Sequence, residues 1–363
     1  MIVRPWGRKR REPACALLCL LLPAALGGAP HQGELRKLAE GVYAHVVEPE
    51  GAFVANAGVV LLSDGVVVFD THFTREGGEE LLRQIRGITQ LPVRFVALSH
   101  FHPDHTHGLD AFPGAALVLA STNARRDILE KDLPAVRRAL DLGRAQLEQW
   151  SRELERARDE ALKSSLRARI AGRRELVERL AGLQVRAPVM ALDDRLTIHD
   201  RERTLEFLLP GAGHTDGDLI LYLPREKIVF AGDLFFDRAL PNTEDARILE
   251  WTETLGALSN LDADIFVPGH GRPCGRAQVE EFRDYLRDLR ALVEPAVLRG
   301  ESLPQVVREA QLPEKYGSYG FRNFFPANVQ KMYAELMALQ LAAPAQPAPE
   351  ARKKKPPQEQ KKP

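Results

Sequence analysis

Six consecutive residues, His100-Phe101-His102-Pro103-Asp104-His105, put three imidazoles and a carboxylate within one short turn. They follow directly on the apolar run Phe95-Val96-Ala97-Leu98-Ser99. A lone histidine is most often a satisfied core or surface residue. Four donors at the end of a buried strand have few structural reasons to exist, and they point to a bound metal. Histidine and aspartate together suit zinc, and imidazole serves most transition metals.

Three later segments extend the donor set: Gly211-Ala212-Gly213-His214-Thr215-Asp216-Gly217, Phe230-Ala231-Gly232-Asp233-Leu234 and Val267-Pro268-Gly269-His270-Gly271. Each follows an apolar run and reads as a glycine-rich turn, where small residues let backbone and side chains crowd a metal. The pattern H-x-H-x-D-H, followed in order by His214, Asp233 and His270, resembles the metallo-β-lactamase superfamily over roughly residues 37–290.

The donors divide between two ions. His100 and His102, two apart, can reach one metal, and His214 completes three nitrogen ligands. Asp104, His105 and His270 point to a second ion, and the resemblance implies that Asp233 bridges the two. Asp104 also counts as the catalytic carboxylate of the site. Two Zn2+ are the expected cofactors, with iron or manganese as alternatives. Ions about 3.5–4 Å apart would share a hydroxide and polarise a scissile carbonyl or ester, which makes the reaction metal-assisted hydrolysis. The resemblance further implies that Asp70, at the end of Val66-Val67-Val68-Phe69, orients a metal-binding histidine. His72 and His107 are not expected as ligands; His107 is read as lining the cleft or facing water.

Composition narrows the class. The chain has 363 residues, 44% hydrophobic and 28% charged, ordinary for a globular protein. Its 50 basic and 50 acidic residues are unevenly spread. The first 30 residues carry a net +4, the tail from Pro344 another +4, and the body between them is close to −8. An acidic body argues against a nucleic-acid substrate, because a nuclease must approach a polyanion. The N-terminus reads as an export signal over residues 1–27, with a basic stretch through Arg11 before an apolar run from Ala14 to Leu26. That run, interrupted by Pro23, is too short for a permanent span. The expected location is periplasmic or secreted, with no stable membrane span after processing. Cys15 and Cys19 fall in the signal, leaving Cys274 alone, so no disulfide framework is expected.

Strand-like runs at 42–47, 58–62, 66–69, 95–99 and 116–120 form one set, and runs at 205–209, 219–223, 228–231 and 265–267 a second. Helical patterns at 76–86, 248–260 and 278–298 fall between them. Two such halves pack as an α/β fold, a four-layered αββα sandwich. The expected domain spans residues 28–290, with a helical insertion at about 123–187. In the insertion Leu129, Leu133, Val136, Leu140, Leu147, Trp150 and Leu154 repeat at helical spacing, with Gly143 in the vacant place and a break near Ser164-Ser165. It is read as two packed helices, with a lid over the metal cleft or a homodimer contact as alternatives. A C-terminal helical extension at 291–342 has helical patterns at 303–310 and 327–341, joined by a link with five aromatics, Tyr316, Tyr319, Phe321, Phe324 and Phe325. These are read as packing anchors, with a substrate wall as the alternative. Residues 343–363 cannot bury a core and should be disordered.

Substrate is less determined by motif. True β-lactamases of this superfamily commonly have Cys or Ser where this chain has Asp233, which leans towards the glyoxalase II-like and lactonase-like branches. Export suits a β-lactam better than a glutathione thioester. The sequence is similar to exported members grouped with the quinoprotein relay system hydrolases. The expected function is a binuclear zinc hydrolase cleaving a small carbonyl substrate of β-lactam, lactone or thioester type. The alternatives are a mononuclear iron enzyme resembling persulfide dioxygenases and a binding-only pseudoenzyme.

Overall fold

A computed structural model of the chain describes residues 33–47 and 55–342. The expected signal at 1–27 and the expected tail at 343–363 lie outside the described residues. The run Val66-Val67-Val68-Phe69 shows how the layers arise. It forms β4 (Val66–Phe69), buried along its whole length. Successive side chains on a strand point to opposite faces. Val67 and Phe69 therefore enter the core between two sheets, while Val66 and Val68 meet Leu81, Leu82 and Ile85 of α1 (Arg75–Ile88). A strand apolar on both faces is one covered on both sides.

The first sheet runs β1 (Glu34–Ala39), β2 (Val42–Val46), β3 (Ala57–Leu61), β4, β5 (Val93–Ala97), β6 (Leu117–Ser121) and β7 (Met190–Leu192) in spatial order. Its strands are antiparallel from β1 to β4 and parallel from β4 to β7. The second sheet runs from β8 (Arg195–His199) through β9 (Thr204–Leu208), β10 (Ile220–Leu223) and β11 (Ile228–Phe236) to β12 (Ile265–His270). The inner faces meet at Phe69 and Phe230, with ring centroids 6.2 Å apart. Outside the second sheet, α6 (Ile248–Ser259), α7 (Arg276–Leu298) and α9 (Phe325–Ala342) bring Trp251, Leu255, Phe282, Tyr285, Val329 and Met332 onto Val229 and Ala231. The expected αββα sandwich is the fold observed. Beyond α7, the short helix α8 (Leu303–Glu309) precedes the aromatic link and α9. Three strands went unread in the sequence. β1 and β8 are half-exposed, without clean alternation, and β7 has only three residues.

The insertion departs from expectation at its turn. It contains α3 (Thr122–Asp127), a π-helical turn at Ile128–Asp132, α4 (Leu133–Arg156) and α5 (Glu160–Gly182). The chain reverses at Ala157-Arg158-Asp159, not at Ser164-Ser165, which lie inside α5. Asp159 caps α5 by accepting from Leu162 N at 2.7 Å, and a capping aspartate marks a helix start more strongly than interior serines mark a break. Gly143 marks the close approach of α4 to α5: a Cβ there would come 2.5 Å from Val177 Cγ2. Leu129 drops out of the stripe, because the π turn shifts the helical phase and leaves it exposed. Among the described residues no helix is long and apolar enough to cross a membrane.

Candidate metal centre

β5 ends at Ala97, and Ser99 and His100 continue buried from it. Pro103 then opens the short helix α2 (Pro103–Thr106), which turns Asp104 and His105 back towards the strand ends. His214 arrives from the loop between β9 and β10, and His270 is the last residue of β12. Asp233 was expected in a turn after a strand ending at 231. Instead β11 continues through it to Phe236, with the register shifting at Gly232, whose φ of +53° marks the irregularity. The bulge keeps the strand paired while re-aiming Asp233.

The seven expected residues converge into two groups. One holds His100, His102 and His214; the other holds Asp104, His105, Asp233 and His270. In each group one ligand atom per residue lies within 4.8 Å of the rest. The three rings of the first group stand edge-on to one another, with centroids 4.7–4.8 Å apart. His102 Nδ1 lies 2.8 Å from His214 Nε2. Asp233 reaches both groups. Its Oδ1 is 3.0 Å from His105 Nε2 and 3.3 Å from His270 Nε2, and its Oδ2 is 3.3 Å from His214 Nε2. Asp104 Oδ2 stands 3.3 Å from His270 Nε2.

These residues fit a bound metal on two grounds. His100 Nε2 is buried without a hydrogen-bond partner, a cost that folded proteins rarely leave uncompensated. The donor types are those of a zinc-type ion. The local field agrees. Burial drives His214 down to about 3 and His100 well below the usual imidazole range, so both present neutral rings. Burial also opposes charge on His270 and His105. There the carboxylates of Asp233 and Asp104, with Asp70 acting on His105, outweigh it, raising His270 to about 9 and His105 well above its ordinary value. The second group draws in positive charge.

The groups behind the donors are equally specific. Asp70 Oδ2 accepts from His105 Nδ1 at 2.8 Å, and Oδ1 accepts from the Ser99 amide at 2.7 Å. The carboxylate expected to orient a histidine is therefore placed to do so. Gly269 leaves the room Asp233 needs, since a Cβ there would lie 1.9 Å from Asp233 Oδ1. Two partners had no signal in the sequence. Asp245 Oδ2 lies 3.2 Å from His102 Nε2, and its Oδ1 accepts from Lys131 Nζ at 2.9 Å. Asn56 Nδ2 donates to the carbonyls of Pro268 and Gly271, both at 2.9 Å, and pins the His270 turn to the first sheet.

His72 and His107 belong to neither group. His107 neither faces water nor joins the donors: it is buried, with Nε2 3.1 Å from Asp132 of the π turn and its ring stacked on Phe73. His72 Nδ1 lies 2.7 Å from the Ala55 carbonyl. Asp216 pairs with Arg126 at 3.0 Å, away from the donors.

The family model of the metallo-beta-lactamase superfamily matches residues 51–270. A linear primary-alkylsulfatase of a Pseudomonas species is 23% identical over 70% of this chain and 50% of its own length. The chain thus spans about half of that relative. A type 2 metallo-beta-lactamase of Pseudomonas aeruginosa is 23% identical over 68% of this chain and 81% of its own length. Among solved structures, a metallo-beta-lactamase from Pontibacter korlensis superposes with a TM-score of 0.53 at 21% identity, over 70% of this chain and 99% of that one. With a family model covering more than half of the chain, and a sandwich carrying both donor groups, the protein belongs to the metallo-beta-lactamase superfamily.

Proposed function

We propose that this protein is a binuclear zinc hydrolase that cleaves small carbonyl substrates. His100, His102 and His214 would hold one ion, Asp104, His105 and His270 the other, and Asp233 would bridge them. The observation that carries the reading is the reach of Asp233, with one oxygen towards each group. Bound there, the ions would supply Lewis acidity, to acidify a water and to polarise the scissile carbonyl. The chain's own residues do the positioning: Asp70 holds His105, Asp245 holds His102, and Asp104 stands beside His270 as the catalytic carboxylate. Periplasmic or secreted location remains part of the proposal, on the strength of the N-terminal sequence.

The alkylsulfatase relative favours a second reading, hydrolysis of a primary alkyl sulfate ester. One experiment separates the readings. The purified protein is analysed for metals, then assayed with a chromogenic cephalosporin, an acyl lactone, a glutathione thioester, aryl esters and a primary alkyl sulfate. Close to two zinc ions per chain, with turnover of a carbonyl substrate abolished by chelation, supports the proposal. A single tightly held iron with no zinc overturns it in favour of an oxygen-using enzyme, and turnover of the sulfate alone selects the second reading.

A further inference from the structure

The aromatic link of the C-terminal extension does two different things. Tyr316 Oη donates to Asp288 Oδ2 at 2.6 Å, Tyr319 Oη donates to Glu281 Oε1 at 2.5 Å, and Phe325 is buried in the outer core. These three are packing anchors. Phe321 and Phe324 are only half-buried, with rings edge-on and centroids 6.1 Å apart. Phe321 also stands edge-on to His270 at 5.6 Å, while Phe236 of β11 stacks on the same imidazole at 5.3 Å.

The backbone holds Phe321 in this place at a cost. Its φ is +57°, a left-handed conformation disfavoured for a residue with a Cβ. Main-chain bonds secure it: Leu240 N donates to Gly320 O at 3.0 Å, and Gly320 N donates to Arg238 O at 2.9 Å. The clamp thus ties the link to the segment directly after β11, the strand that carries Asp233. Strain retained by surrounding structure, and spent on leaving an apolar ring half-exposed beside a donor residue, is characteristic of functional positions.

We propose that Phe321 and Phe324 form an aromatic strip leading outward from His270 that binds the apolar chain of the substrate. The scissile group would lie at the donor groups and its hydrocarbon chain along the strip, so the extension selects substrates bearing an aliphatic or aromatic tail. The location of the scissile end rests on the hydrolase reading; the strip itself does not.

The test uses the full metal-loaded chain with straight-chain carboxylates from acetate to octanoate as binding probes, and aryl esters of the same acids as substrates. A fully buried methylene is worth about fourfold in affinity, and a half-exposed wall about twofold. Carboxylate affinity and ester kcat/KM should each rise about twofold per methylene in the wild type. The rise should flatten in Phe321→Ala, persist in Phe321→Leu, and fail only for the longer chains in Phe324→Ala. Phe321→Gly, which relieves the left-handed strain, should also lose the rise while keeping metal content and melting temperature, so unfolding cannot account for the loss. Equal slopes in the wild type and Phe321→Ala, or no slope in the wild type, would overturn the strip. Carboxylate slopes as expected with no ester cleaved would support the strip and count against the hydrolase reading alone.

Discussion

His102 Nε2 lies 3.2 Å from Asp245 Oδ2, although 143 residues separate them in the chain. The other nitrogen of the same ring faces His214 Nε2 at 2.8 Å. The imidazole is therefore held from behind by a carboxylate, and the carboxylate is held by Lys131, which also pairs with Asp127 at 2.7 Å. Lys131 lies in the π-helical turn at the base of the insertion, so that turn supports the donor group through Asp245.

Asp245→Ala should lower metal affinity in the first group by roughly 10–100-fold, the usual effect of losing a carboxylate behind a ligating histidine. Cobalt titration, followed by its ligand-field absorption, would register the change while the circular dichroism stays as in the wild type. Unaltered cobalt affinity would show that Asp245 does not position His102.

Asp233→Ala should remove the anionic oxygens that reach both groups and lower the bound metal from two ions towards one, with a large loss of activity. Asp216→Ala, which breaks the pairings with Arg126 and Arg247 and touches no donor, should keep the full metal content. Two ions retained at wild-type affinity in Asp233→Ala would exclude a bridging role.

Gly269→Ala tests the space beside that carboxylate. The added methyl would meet Asp233 Oδ1 at 1.9 Å, so either the carboxylate or the β12 backbone must shift. Metal content should fall by at least one ion per chain. Elemental analysis at wild-type stoichiometry would mean that Asp233 can turn aside without consequence.

Burial pushes the Asp218 carboxyl up to about 7, against the hydrogen bonds it accepts from Thr215 N and Oγ1. Between about pH 4 and 7 the folded chain then holds a proton that the unfolded chain has released. This contribution to stability is complete below the unfolded value and is lost as pH rises through 7. In metal-free protein, the urea midpoint of Asp218→Asn should therefore fall less over that interval than the wild-type midpoint. Parallel falls in the two proteins would show that Asp218 does not titrate there.

Much of the sandwich could be read from the chain because its central strands are buried on both faces. Unbroken runs such as Val66-Val67-Val68-Phe69 carry that signal in four residues. Half-exposed edge strands such as β1, with no such contrast, went unread. The insertion was legible as helix from its repeat. Its turn was not, because serines inside a long helix look like a break until Asp159 is seen capping the next one.

The sequence by itself determined the donor types, their order and the family, because a metal needs particular atoms and those atoms belong to particular residues. It also determined that a carboxylate, Asp70, stands at the end of a buried run, Val66-Val67-Val68-Phe69, upstream of the motif. Only the tertiary structure decided that Asp233 aims one oxygen at each group, that Asp245 and Lys131 stand behind His102, and that Asn56 pins the His270 turn. It also divided the aromatic link, sending Tyr316, Tyr319 and Phe325 into structural contacts and Phe321 to the side of His270. The reason is physical. A side chain's chemistry is local and survives in the sequence, whereas its direction is set by packing between segments far apart in the chain, and no short pattern records that.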